Sequence, residues 1–394
     1  MNDRGSALAR KNELLFRRSP HLVSYWSGTE LTFQNYATHT QVLARPETCH
    51  ILDFFDDWRS LDDLCERWPQ LDRGALQKTV GLLAEASLLQ QSDRAATDAE
   101  RALDGWGRWN PAAGFFHFST KDHEYTPDLA HAERLLRRQA RTVPMPPAVK
   151  RYTSARTVSL PPPRTDGEFP RVLLARRTWR QFSPRPLDLN SLATLLGLTW
   201  GVQRWVAVRG QGRVALKTSP SGGARHPIEV YVLARRVAGL ARGLYHYASD
   251  AHALELLAAG GRSRQLASFL PRQNWYGSAN ALMLMTAVLP RVQWRYKFAR
   301  AYRVVLLDAG HICQTFCLVA TWLGLAPFCT AALADSHIEK ALGIDGVTET
   351  VVYAAGVGTR PAGVEWAPSP SRRRTSRSAG ASASPSSHQR KTSR

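Results

Sequence analysis

Acidic residues are scarce in this chain. Its 394 residues include 32 Asp and Glu against 52 Lys and Arg, a formal net charge of +20. Such an excess invites a nucleic-acid reading, but its distribution weakens it. Residues 367–394 hold Arg372, Arg373, Arg374, Arg377, Arg390, Lys391 and Arg394 and no acid, in a Ser/Pro/Ala-rich stretch that cannot bury a core. The remaining charge is spread over the body, which carries no base-reading signature. A solubilising tail is expected, and nucleic acid is not expected as a partner. Cysteine is sparse too: Cys49, Cys65, Cys313, Cys317 and Cys329. The number is odd and the spacings match no zinc pattern. Cys313 and Cys317 stand four apart in an apolar helical run, with no His or acid at a suitable spacing. They read as small core residues, so no metal site is expected. The set fits a reducing cytoplasm. No apolar run reaches the ~18 residues of a membrane span. The N-terminus lacks the apolar core of roughly 7–15 residues that marks a signal peptide.

Apolar and aromatic residues are plentiful. Hydrophobic residues make up 44%, with 12 Trp, 11 Tyr and 13 Phe, enough for a packed body of two domains and a tail. Residues 1–20 are expected to be a flexible N-terminus. Residues 21–40 are aromatic and β-branched around Ser27-Gly28 and read as a hairpin. Residues 47–92 show three short amphipathic helices. The second opens at Ser60, with Asp63 three residues on as a capping partner. The pattern over 21–100 resembles a winged helix, which could bind DNA, bind a peptide or only pack on its neighbour. Residues 101–165 form a connector. Its Trp-, Phe- and Gly-rich part (103–128) does not read as a regular element, and its proline-rich part (142–170) reads as a linker or wrapped arm. The domain boundary falls near 160.

The region 166–366 mixes helix and strand. "RVLLARRTWRQF" begins as a helix. "DLNSLATLLGLTWGV" is a helix with Asn190 or Ser191 near its cap. "IEVYVLARRV", "GLYHYASDAHALELL", "ALMLMTAVLP" and "TETVVYAAGVGT" read as strands. "VVLLDAGHICQTFCLVATWLGL" reads as a long buried helix ending at Gly324. The order predicts an α+β fold, helices around a mostly antiparallel sheet.

Three polar islands punctuate this region. Arg176, Arg177, Thr178 and Arg180 combine guanidinium forks and a hydroxyl, a set that suits phosphate or a solvated basic turn. "TSPSGGARHP" (218–227) offers backbone N–H groups and little Cβ, suiting a loop against a flat ring or an ordinary turn. "AAGVGTR" (354–360) ends a strand in small residues and an arginine. Its G-x-G opens no helix, so it is no dinucleotide fingerprint.

Together these segments resemble the FMN-dependent nitroreductase-like family, and within it the SagB-type (ThcOx/McbC-like) azoline dehydrogenases of peptide natural-product pathways. An Arg-x-Ser/Thr-x-Arg-x-Phe motif is matched by "RRTWRQF", and a Pro-Ser-x-Gly loop with its strand by "SPSGGARHPIEVYVL". "GLYHY" stands at 243–247, "WRYKFARAYRVVLLDAGH" at 294–311, then "LGL", and an Asp-Gly turn before Glu349. The six segments keep the family's order over about 171–360. The resemblance implies a homodimeric α+β flavoprotein with FMN at the subunit interface. Arg176, Arg177, Thr178 and Arg180 would hold the phosphate and ribityl chain. Pro220, Ser221, Gly222 and Gly223 would line the isoalloxazine. Arg360, after Gly356 and Gly358, would return to the phosphate.

In that family an azoline in a modified peptide is oxidised to a thiazole or oxazole, with a Lys-Tyr pair doing the proton work. Here Tyr296 stands at the tyrosine, Arg295 where the lysine is expected, and Lys297 one position on. Tyr296 and Lys297 are therefore the catalytic candidates, Arg295 being too basic to act as a base. His311, after Gly310 at the start of the long helix, would cap it, line the pocket or sit satisfied in the core. Asp308 would be its partner or an N-cap, and Glu349 would pair with a nearby positive residue. The N-terminal domain would hold a leader peptide or partner protein by strand addition, or only pack. Two other readings stay open: a general NAD(P)H-dependent nitro/quinone reductase, and a flavin-free peptide- or nucleic-acid-binding adaptor.

Overall fold

The computed structural model describes residues 13–124, 129–143, 146–150, 158–260 and 269–363. The basic tail and residues 1–12 lie outside these. The chain opens with β1 (Leu15–Arg18), inside the stretch expected to be flexible. A meander follows: β2 (Leu22–Ser27), β3 (Glu30–Asn35) and β4 (Thr40–Ala44), paired antiparallel, with Gly28 at positive φ in the first turn. Next come α1 (Thr48–Phe54), β5 (Arg59–Ser60), α2 (Leu61–Arg67), α3 (Arg73–Glu85) and β6 (Leu89–Gln91). The capping box that Ser60 suggests is present. Asp63 N–H donates to Ser60 Oγ (3.1 Å), and Ser60 N–H donates to Asp63 Oδ2 (2.8 Å). Phe16, Leu31, Phe33, Leu52, Phe55, Leu64, Val80 and Leu88 form the local core.

The winged-helix pattern expected over 21–100 is not shown by this region. Its second sheet has the order β5-β1-β6, so the central strand comes from before the helices. The hairpin that would form a wing does not follow β6, which leads instead into α4 (Asp98–Asp104).

The connector is the second departure from the sequence reading. It contains α4, a 3-10 turn (Gly107–Trp109), α5 (Ala112–Thr120) and, in its exposed part, α6 (Leu129–Thr142). Thr97 and Glu100 form a capping box on α4. Trp106, Trp109 and Phe118 are buried in the main core of the molecule, with Tyr36 from the meander. Their partners lie nearly 200 residues downstream, so local periodicity did not reveal them.

The second half comprises α7 (Glu168–Ala175), β7 (Leu187–Asp188), α8 (Leu189–Trp200), β8 (Arg204–Val208), β9 (Gly212–Leu216), β10 (Ile228–Ala234), β11 (Val237–Ala238), β12 (Gly243–Ala248), β13 (Ala253–Ala259), β14 (Ala281–Val288), α9 (Leu289–Gln293), α10 (Ala301–Trp322), β15 (Leu325–Thr330), α11 (Asp335–Leu342) and β16 (Glu349–Thr359). Six strands form one sheet in the order β13-β12-β10-β14-β16-β15, every pair antiparallel. The expected α+β architecture is therefore present. Both sheet faces are covered, so the inner strands read as continuous apolar runs rather than alternating ones. Ile228, Val230 and Val232 of β10 face one core and Tyr231 and Leu233 the other. In β14, Met283 and Met285 face the first, and Leu282 and Leu284 the second.

The cap of α8 is Asp188, which accepts from Ser191 N–H at 2.8 Å, rather than Asn190 or Ser191. Helix α10 starts earlier than the apolar run suggests, so His311 lies exposed in its middle and caps nothing. By length and composition α10 could cross a membrane, but half of it is buried against the body of the molecule. Phe316 alone, fully buried, contributes about 1.5–3 kcal/mol there. The helix ends before Gly324, whose positive φ turns the chain into β15.

Candidate active site

The glycine loop 218–227 joins β9 to β10 and is fastened to two helices. Thr218 Oγ1 donates to the Leu198 carbonyl of α8 (2.7 Å), and Ser219 Oγ bonds Thr315 Oγ1 of α10 (2.7 Å). Ser221 Oγ donates to Asp308 Oδ2 (2.5 Å) and accepts from His226 N–H (2.9 Å), while Gly222 N–H donates to Asp308 Oδ1 (3.4 Å). Asp308 is thus not an N-cap, and His311, three residues on, acts on it only through charge. Burial pushes its carboxyl above the ordinary range, and the bonds from Ser221 and Gly222 oppose that shift.

The two glycines are sterically required. A Cβ on Gly222 would lie 2.4 Å from Val304 Cγ1. Gly223 has φ +62°, and a Cβ there would lie 2.6 Å from Arg295 Cδ and 2.9 Å from the Tyr296 hydroxyl. Ala224 and His226 also take positive φ, unusual for residues with a side chain. The loop is held in a costly shape, with its bare backbone against Tyr296.

Tyr296 is half-buried and positioned from behind by the connector. Trp109 Nε1–H donates to the Tyr296 carbonyl at 2.9 Å. The Arg295 guanidinium stacks over the Tyr296 ring and donates to Gln211 Oε1 (2.8 Å), which also accepts from Arg225 (3.1 Å). Lys297 is exposed. His117 packs nearby. Its Nε2–H donates to the Gly346 carbonyl and its Nδ1 accepts from Tyr302 O–H, both at 2.8 Å, the tautomer being fixed by the carbonyl. Burial lowers this imidazole to about 4.

The arginine island occupies a different place. After α7 the chain runs extended through residues 176–182 and is anchored where Trp179 N–H donates to the Pro327 carbonyl (2.9 Å). Arg176 and Arg177 are half-buried, Thr178 and Arg180 exposed. Arg180 lies over the Trp275 ring. Gly358 is closed in by the Phe182 ring, and Gly356 by Phe328. Arg360 stacks on Trp179 and donates to the carbonyls of Leu325 at the start of β15 (2.9 Å) and Thr321 at the end of α10 (3.2 Å). The structure gathers Pro220, Ser221, Gly222 and Gly223 with Tyr296, and gathers Arg176–Arg180 with Arg360. It does not join the two groups in one chain. Their contacts on α10, at Asp308 and Thr321, are thirteen residues apart, about 20 Å along the axis.

Beside the glycine loop lies a cavity of about 560 Å³ between the β8–β9 hairpin and the sheet. Trp205 and Trp294 wall it, and Lys217, Glu229, His246 and Arg291 line it. Arg291 pairs with Glu229, and His246 bonds Glu229 (3.4 Å) and Glu255 (2.7 Å). Hydrogen bonding to Glu229 raises His246 to about 9. Burial lowers the Lys217 amine, which donates to Ser249 Oγ (3.2 Å). None of these roles was visible in the sequence, because the partners come from separate strands. Glu349, expected to meet a cation, instead accepts from the Tyr231 and Thr286 hydroxyls.

The sequence pattern of the nitroreductase family matches residues 173–359. MJ1384 of Methanocaldococcus jannaschii, which is named as a nitroreductase, is 32% identical over 173 residues, 44% of this chain and 83% of that one. The trifolitoxin-processing protein TfxB of Rhizobium leguminosarum bv. trifolii is 33% identical over 178 residues, 43% of this chain and 47% of that one. The microcin B17-processing protein McbC of Escherichia coli is 28% identical over 141 residues, 32% of this chain and 48% of that one. The chain thus spans about half the length of the two toxin-processing proteins. The matched segment holds both arginine and glycine islands, the six-stranded sheet and α10: the chain belongs to the nitroreductase family.

Proposed function

We propose that the protein is an FMN-dependent dehydrogenase that oxidises an azoline or related ring in a peptide natural product. One observation carries the reading: a glycine loop, pinned by Asp308, whose missing Cβ atoms let its bare backbone lie directly against the Tyr296 hydroxyl. That cradle fits a flat ring system, and the half-buried Arg176 and Arg177 with the exposed Thr178 and Arg180 fit a phosphate and its polar chain. Bound FMN would supply hydride acceptance. The chain's own residues do the rest. The loop backbone, set in place by the Gly222 and Ser221 bonds to Asp308, orients the ring. Tyr296, fixed by Trp109, holds a proton at its hydroxyl beside the loop. Arg295 stays charged and orients rather than abstracts.

The separation of the two islands along α10 supports a flavin shared between two copies of the chain. Leu306, Leu307, Phe298 and Trp322, exposed on or near α10, are apolar side chains suited to contact with a second copy. The toxin-processing relatives support a peptide substrate, and the edges of the β2–β4 meander offer unpaired backbone to an extended leader segment. Five free thiols suit a reducing cytoplasm. The Arg295 substitution favours one second reading, a reductase of nitro or quinone compounds, in which no lysine base is needed.

The test is an absorbance spectrum of the purified protein. A flavin spectrum, release of FMN on denaturation, and its loss in Arg180→Ala support the proposal. Colourless protein that takes up no added FMN overturns it. Steady NADPH-dependent turnover of nitroarenes, with no oxidation of an azoline peptide, favours the reductase.

A further inference from the structure

Three thiols that the sequence scatters meet in the core. Cys313 and Cys317 stand four apart on one face of α10. The chain reverses at Gly324, and β15 brings Cys329 back against that face. All three Sγ atoms lie within 4.8 Å of one another. Cys313 and Cys317 are buried, Cys329 half-buried, and all are free of disulfides. None of the three thiols is among the residues assigned to the flavin, although Arg176 of the arginine island borders two of them.

We propose that Cys313, Cys317 and Cys329 form a three-thiolate site for a divalent thiophilic cation, zinc first among them. The donor set is all sulfur, which selects zinc, cadmium or copper over magnesium or calcium. Zinc–sulfur bonds of about 2.3 Å place tetrahedral sulfurs about 3.8 Å apart, so the thiols need to close by no more than ~1 Å. Three thiolates around a divalent ion leave one negative charge. Arg176 lies near enough to act electrostatically on Cys317 and Cys329, and supplies one positive charge. The Tyr353 hydroxyl is close enough to Cys329 to act on its thiol. A cation there would clasp the C-terminal half of α10 to β15, directly behind the arginine island. Such a clasp adds stability only in the folded state, by mass action. This inference does not depend on the flavin assignment.

The experiment uses the full chain, reduced and stripped by chelator, then titrated with Cd²⁺ while the sulfur-to-cadmium charge-transfer band is followed in the ultraviolet. Zinc in the purified protein is counted by elemental analysis. One equivalent per chain is expected, with loss of the band in Cys329→Ala and Cys317→Ala and no change in a Cys49→Ala/Cys65→Ala double variant. Cys329→Ser, which keeps the volume, replaces Cys329→Ala if the latter fails to fold by circular dichroism. No band in the folded wild type, a band that survives Cys329→Ser, or a resting disulfide among the three would overturn the proposal.

Discussion

Ser221 donates its hydroxyl to Asp308 across 2.5 Å, so the glycine loop is tied to the middle of α10 by one buried acid. Asp308 also takes the Gly222 amide. Removing the carboxylate leaves the Ser221 hydroxyl and the Gly222 amide without that acceptor. Asp308→Ala is therefore expected to weaken flavin binding at least tenfold, about 1.4 kcal/mol, with the fold retained. Flavin titration against circular dichroism reads this. Unchanged binding would show that the loop holds its shape without the tie.

Gly223 permits no side chain. Its φ of +62° disfavours any L-residue by about 1–2 kcal/mol, and the added carbon would press on Arg295 and Tyr296. Gly223→Val is expected to elute from gel filtration free of flavin and with a lowered Tm. A variant that keeps its flavin would place the ring elsewhere, the cavity walled by Trp205 and Trp294 being the next place to look.

His117 makes stability fall with acid. Its ordinary pKa is 6.5 and the folded value about 4, so the unfolded chain binds more protons between those limits. Stability is full above pH 6.5 and declines as pH drops toward 4. The urea midpoint of the wild type is expected to fall across that window more steeply than that of His117→Gln. Parallel curves would remove His117 as the cause.

Lys121 and Glu339 form a buried pair at 2.6 Å, and Glu339 also accepts from Thr350 Oγ1 and Val351 N–H. Lys121→Met strands the acid and is expected to cost about 3–5 kcal/mol. Denaturant unfolding measures it. A loss under 1 kcal/mol would mean that Glu339 takes up a proton or water instead.

The elements that positioned the sheet were legible from pattern. Alternation at 228–234 and a continuous apolar run at 281–288 marked strands, and the Ser60 cap marked α2. What could not be read depends on contacts far apart in the chain. Trp109 looks like loop filling until Tyr296 arrives 187 positions later. Cys313 and Cys317 look like core thiols until β15 returns Cys329. Asp308 sits in an apolar helix with nothing local to explain it, and only the folded loop supplies Ser221. Arg360 was expected at a phosphate from its place after Gly358, but its stack on Trp179 and its bonds to the Thr321 and Leu325 carbonyls had no local signal.

The burial of Trp106, Trp109 and His117 in the main core has a practical corollary for dissecting the molecule. A cut at the domain boundary expected near 160 falls in exposed chain, beyond the segment that fills the core. Protease nicking there should yield two fragments that stay together until denaturant is added. Expressed separately, the downstream fragment would have an open furrow where two indoles belong, and would be prone to aggregate.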